Sequence, residues 1–117
     1  MQNAIKQKNM KIAITSTGNS LESLLDHRFG RCACFVVYDT ESGATEFIPN
    51  PHKNAEDSAG PASVQLISSR KVNKIVSGEF GVKIKETLDS MKIQLIVLRK
   101  PGITIGRIIE MLNQTNE

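Results

Sequence analysis

The chain contains no tryptophan and one tyrosine, and aromatic residues make up 4% of its 117 positions. Its core must therefore be mostly aliphatic. Cysteine is scarce as well: Cys32 and Cys34 are the whole thiol inventory. One residue apart, they are poorly placed to bond each other, and nothing in the chain speaks for the oxidising compartment a disulfide wants. Two reduced thiols, or two ligands, remain. Charge of one sign is lacking too. Fifteen basic residues face 12 acidic ones, a net charge of +3. With no dense Lys/Arg block, that mild excess excludes a nucleic-acid tail. No apolar stretch approaches the ~20 residues of a membrane span. The N-terminus, MQNAIKQKN, is polar and lacks the apolar middle of a signal peptide. These absences describe a cytoplasmic protein that partners neither nucleic acid nor membrane.

What is present suits a single α/β domain over residues 10–117, preceded by a disordered leader at 1–9. The run KIAIT reads as a buried first strand. CFVVYD (34–39) and ATEFI (44–48), joined by ESG, read as a hairpin. A polar, proline-containing loop of residues 49–60 follows, long enough to suggest a function. A helix is expected from Pro61 to Lys71, with Val64 and Ile67 buried. KIVS (74–77) is a strand. Val82 to Lys92 is a helix carrying Ile84, Leu88 and Met91 at helical spacing. IQLIVL (93–98) is a strand. Thr104 caps a last helix whose Ile105, Ile108, Ile109 and Leu112 form one face. The order β-β-β-α-β-α-β-α implies a mixed five-stranded sheet with three helices on its faces, its later strands paired in parallel through right-handed crossovers.

Chemistry concentrates in DHRFGRCAC, residues 26–34. On one strand, Cys32 and Cys34 would project to one face and could bind a soft metal or an iron–sulfur unit. Cysteine also serves as a small buried hydrophobe, which explains the pair without a metal. A complete site usually needs four ligands, so the rest would come from His27 and His52, from a second subunit, or from ligands the metal carries with it. Neither histidine stands at a tight metal-motif spacing, and each alone reads more readily as a solvated surface group than as a ligand. Arg28 and Arg31 match anionic oxygens, and Gly30 between them lets the backbone approach a ligand. Gly60 opens a helix, while Gly78 and Gly81 sit where a parallel strand turns into a helix. Turn chemistry alone would also place these glycines. GEFG is no nucleotide loop, and no GxSxG or HExxH occurs. The element order resembles ribonuclease H-like domains, but their acidic first-strand residue has no counterpart in KIAIT, which disfavours nuclease chemistry.

These segments together carry a resemblance. KIAITS from Lys11, then DHRFGRCACFVVYD, then NP-x-x-N-x-x-x-SAGPASVQLI and V-x-x-G-x-x-G-x-K resemble, in order, the dinitrogenase iron–molybdenum cofactor biosynthesis family. The resemblance implies a ribonuclease H-like fold that binds an iron–sulfur or iron–molybdenum cluster, or its precursor, without catalysing chemistry. It carries the H-x-F-G-R segment onto His27, Phe29, Gly30 and Arg31. It carries the glycine-rich loop onto Ser58, Ala59, Gly60 and Pro61, and the G-x-x-G turn onto Gly78 and Gly81. Arg28 intervenes where the family often joins histidine directly to phenylalanine. Ser58 replaces a usual glycine. Cys32 and Cys34 stand where many relatives have small or aromatic residues. The implied partners are a metal–sulfur cluster and a cluster donor or acceptor protein, with the chain a monomer or weak homodimer. A metal-free domain that binds a small anion or a partner protein is the alternative.

Overall fold

A computed structural model describes residues 10–54 and 59–115. The expected leader at 1–9 and the motif residue Ser58 lie outside the described residues. Strand β1 (Lys11–Ser16) is buried from Ile12 onward, because neighbours flank it on both sides. It pairs antiparallel with β2 (Cys34–Asp39) and parallel with β4 (Lys74–Ser77). Beyond β2 lies β3 (Thr45–Pro49), antiparallel to it, and beyond β4 lies β5 (Gln94–Val97), parallel to it. The sheet order is β3-β2-β1-β4-β5, so β2 alone runs against the other four strands. This is the mixed five-stranded α/β sheet expected, and its layout fits the ribonuclease H-like description. The parallel pairing differs in one detail: the chain crosses from β3 at one edge to β4 beside β1, so β3 and β4 are not neighbours.

Helices α1 (Ala59–Ser68) and α2 (Val82–Ser90) cover one face of the sheet, and α3 (Ile105–Thr115) covers the other. Strand alternation sorts the residues between two cores. Ala13, Phe35, Val37 and Ile75 meet Val64, Ile67 and Leu88 on the first face. Ile12, Ile14, Val36 and Val76 meet Ile105 and Ile108 on the second. Helix α1 starts two residues before Pro61, which sits in its first turn where a missing N–H costs nothing. Met91 is 41% exposed, against expectation, because α2 ends at Ser90 and Met91 is its C-cap. Thr104 does cap α3, its Oγ1 accepting from Arg107 N at 3.1 Å. The β2–β3 turn closes on Asp39, whose carboxylate accepts from Glu41 N at 2.9 Å, and on Gly43 at φ +78°. Among the described residues, no helix is long and apolar enough to cross a membrane.

Ile75 is fully buried in the middle of the parallel pair. Ile75→Ala is expected to cost about 2–5 kcal/mol in denaturant titration. Val97→Ala, at an edge-strand position 43% exposed, should stay within about 0.5 kcal/mol of the unsubstituted protein.

Candidate functional site

Strands β1, β3 and β4 end, and β2 begins, along one rim of the sheet, as the pairing of Ser16 with Cys34 and of Cys34 with Pro49 requires. Open α/β sheets hold ligands at such carboxyl ends. Three segments crowd onto this rim: residues 17–33, the start of α1, and the 78–81 turn. The first is tied down at the end of β1. Thr15 Oγ1 donates to Asp26 O at 2.6 Å, and Asp26 N donates back to Thr15 O at 3.0 Å. Thr15 Oγ1 also meets Ser77 Oγ at 3.1 Å, so one buried hydroxyl joins β1, β4 and the loop.

From that anchor the loop alternates inward and outward. Asp26 is 5% exposed. Its carboxylate accepts from Arg28 N (3.0 Å), Nε (3.3 Å) and one Nη (3.4 Å), so the guanidinium has a fixed direction. That hydrogen bond and the charge behind it raise the Arg28 pKa further above its ordinary value. Phe29 turns inward and packs on Phe35 and Phe80, ring centroids 5.7 and 5.6 Å away. Phe80 is the apolar residue of GEFG, so the aromatic contact fastens the 78–81 turn to the loop. Arg31 turns outward, and its Nη1 donates to Lys53 O at 3.3 Å.

One close approach makes glycine necessary and a second favours it. A Cβ on Gly78 would lie 2.4 Å from His27 Cα, and one on Gly30 would lie 3.0 Å from Gly60 N. The Gly60 position is tight as well: a methyl there would lie 2.8 Å from Ile84 Cδ1, although that flexible side-chain tip can move. Gly81 faces open space. Between these walls runs a groove of about 370 Å³, lined by Arg28, Gly30, Arg31, Gly60, Gly81 and Glu79 among others. A second hollow of about 450 Å³ takes His27, Gly78, Arg99 and Lys100, and shares Glu79 with the first. The structure thus gathers five of the expected residues into one groove and places His27 and Gly78 next door.

The thiols are elsewhere. Cys32 precedes β2 instead of lying on it, and its side chain joins Phe29 and Phe35 in the first core. Cys34 is on β2 in phase with Val36, on the opposite face. The shared face expected from a single strand is therefore not what forms. Cys32 is 0% exposed and Cys34 3%. Desolvation pushes the Cys32 thiol up to about 12 and raises that of Cys34. The His27 side chain is 74% exposed, with Nδ1 4.0 Å from Asp26 Oδ1. His52 is half-buried, its N–H donating to Asn50 Oδ1 at 3.0 Å. Among the described residues, no three His, Cys, Asp or Glu side chains converge as a metal site.

Sequence reasoning missed the residues that brace the site. Asn50 is 4% exposed, and its Nδ2 donates to Gly30 O (3.1 Å) and Cys32 O (2.9 Å), pinning the loop after β3 to the arginine segment. The dipeptide Asn-Pro just after a strand is the signal that marks it. Asp26 two residues before Arg28 is the pattern of an Asx turn and marks the second brace. Nothing local marks Thr15, because its partners are 11 and 62 residues away.

A family model described as dinitrogenase iron-molybdenum cofactor matches residues 10–115. No curated protein matches the chain. Among solved structures, the apo form of the orange protein from Desulfovibrio gigas is 25% identical, with a TM-score of 0.83 over 94% of this chain and 92% of its own. A Thermotoga protein provisionally described as NifB is 32% identical, with a TM-score of 0.74 over 90% of this chain and 88% of its own. A Methanocaldococcus jannaschii protein provisionally described as a dinitrogenase shares the fold at 16% identity, with a TM-score of 0.65 over 93% of this chain and 92% of its own.

Gly78→Ala should cost about 1–3 kcal/mol or more, because the methyl meets backbone that cannot yield. Gly81→Ala should remain within about 0.5 kcal/mol, and thermal unfolding of the pair checks the contrast. The thiols give a pH test. Cys32 is raised from 9.0 to about 12 by folding, so the neutral thiol is the form the native state favours. Its contribution is complete below pH 9.0 and is lost as pH climbs from there towards about 12. Cys32→Ala should flatten that alkaline decline in stability, measured by urea titration across the range.

Proposed function

We propose that this chain, which belongs to the dinitrogenase iron–molybdenum cofactor family, is a non-enzymatic module holding a preformed iron–sulfur or iron–molybdenum cluster, or its precursor, for assembly or transfer. The observation that carries the reading is the pairing of two guanidinium groups, Arg28 and Arg31, on a groove walled by the backbone of Gly30 and Gly60. Clusters bearing sulfide and thiolate are anionic. Arginine offers them fixed charge and several N–H donors, and the glycines let a bulky guest reach main-chain amides.

The donor set tests what kind of guest fits. A resident cluster held by protein thiolates needs exposed, ionised cysteines, and Cys32 and Cys34 are buried with raised pKa values. The residues fit cargo that brings its own sulfur ligands and is held by charge and hydrogen bonds. His27, whose exposed imidazole lines the adjoining hollow, would supply a direct protein–metal bond. His52 sits on the braced loop after β3 and offers a second imidazole. Few protein–metal bonds suit a carrier, since a cluster so held leaves readily to an acceptor protein. The absence of a converging ligand triad among the described residues also favours a second reading, a metal-free anion or partner module.

Anaerobic incubation with iron and sulfide, followed by desalting and an iron assay, separates the two. The wild type is expected to retain iron with visible absorbance, and to lose it as salt is raised. Arg28→Ala/Arg31→Ala should cut retention by about tenfold, two charge-assisted contacts being removed. Absence of uptake by the wild type, or equal uptake by the double variant, would end the cluster reading.

A further inference from the structure

The sheet ends on β3 at one edge and on β5 at the other. We infer that the outer edge of β5 receives an extended segment of a partner protein as a sixth strand, a segment apolar at its centre and acidic at both ends. No residue of β5 lines the arginine groove, so this edge is independent of the cluster reading.

The main chain of β5 is satisfied on one side only. Gln94 N donates to Asn73 O and Leu98 N to Ser77 O, each at 3.0 Å. Every second residue of a parallel strand turns to the same neighbour, so Gln94, Ile96 and Leu98 face β4. Leu95 and Val97 turn their N–H and C=O groups outward, where no strand among the described residues pairs with them. Such an edge is a template for another strand. Its side chains, Gln94, Leu95, Ile96 and Val97, are uncharged and mostly apolar. Leu95 and Ile96 are half-buried, and Val97 is 43% exposed. Apolar residues on an added strand would cover what the two cores leave open.

Charge at the two ends selects the occupant. Lys74 is in register with Gln94, and Lys92 lies just before the strand. The acidic residue at that end is Asp89, whose main-chain oxygen accepts from Lys92 N at 2.9 Å. At the other end Arg99 and Lys100 follow the strand, and Glu79 shares a hollow with them. Each end thus carries two cations against one carboxylate. None of these groups is in an ion pair among the described residues. The same charges work against a second copy of the chain. The fullest two-fold pairing sets Leu95 opposite Val97, which brings Lys92 opposite Lys100. An acidic-ended strand meets attraction at both ends instead. Lys92 and Arg99 are seven positions apart, so acidic residues about seven apart in an extended segment reach both.

Fluorescence anisotropy with labelled peptides, at neutral pH and low salt, tests the edge. The probe has an alternating threonine–valine centre of six residues between two pairs of acidic residues. One control replaces the acidic residues by lysine. A second puts two adjacent prolines at the centre, which removes a ladder N–H in either phase of the strand. The acidic peptide is expected to saturate with a Kd below about 1 mM and to weaken as salt is raised. Each control should bind at least about tenfold more weakly. Val97→Pro removes an outward N–H and no bond to β4, so the protein should fold and lose the peptide. Arg99→Gln/Lys100→Gln, at two exposed positions, leaves the strand intact and should weaken the acidic peptide by about tenfold. No saturation by the acidic peptide, equal binding of either control, or unchanged affinity in Arg99→Gln/Lys100→Gln overturns the inference. Self-association of the wild type that Val97→Pro abolishes, read by sedimentation, overturns it as well, because the occupant is then a second copy. Iron retention by Val97→Pro is expected to match the wild type, so edge pairing and cluster loading succeed or fail separately.

Discussion

The rim of this protein is organised by a steric fact: the backbone of His27 occupies space that any side chain on Gly78 would need. Loop and turn touch main chain to main chain. That contact is possible because Thr15 pulls Asp26 onto the end of β1, and because Phe29 and Phe80 pack beneath it. Once the loop lies there, its inward side chains are determined by the core and its outward ones by default. Arg28 and Arg31 reach solvent because Phe29 and Cys32 fill the interior positions beside them. The charge at the rim is thus a consequence of apolar packing below it.

Burial assigns sulfur and guanidinium opposite roles. Both thiols are removed from water and held neutral, which makes them packing groups in this fold. The guanidiniums stay near the surface, where presenting charge costs far less desolvation than in the core. A guest recognised here meets cations and main-chain amides before it meets any sulfur.

Much of the architecture was legible because it rests on local signals. β1 and β2 were visible as runs of β-branched residues, and α3 as a four-residue apolar face behind a threonine cap. The limits of such signals appear at Met91, which keeps the helical period of Ile84 and Leu88 but lies one residue beyond the end of α2. They appear again at Cys32 and Cys34, whose spacing suggests one face only if a strand contains them both. The strand begins at Cys34, and that single boundary leaves Cys32 in the first core while Cys34 turns to the other face of the sheet.

Periodicity, turn residues and motif order were enough to settle the α/β class, the sequence of elements and the family, because each is written within a few neighbouring residues or in their succession. Which residues share a groove was settled only by packing at long range. Gly30 reaches Gly60, Gly78 reaches His27, and Asn50 reaches Gly30 across separations that no local pattern encodes. Those approaches follow from the placement of whole strands beside one another, so the grooves exist only once the sheet has closed on both of its cores.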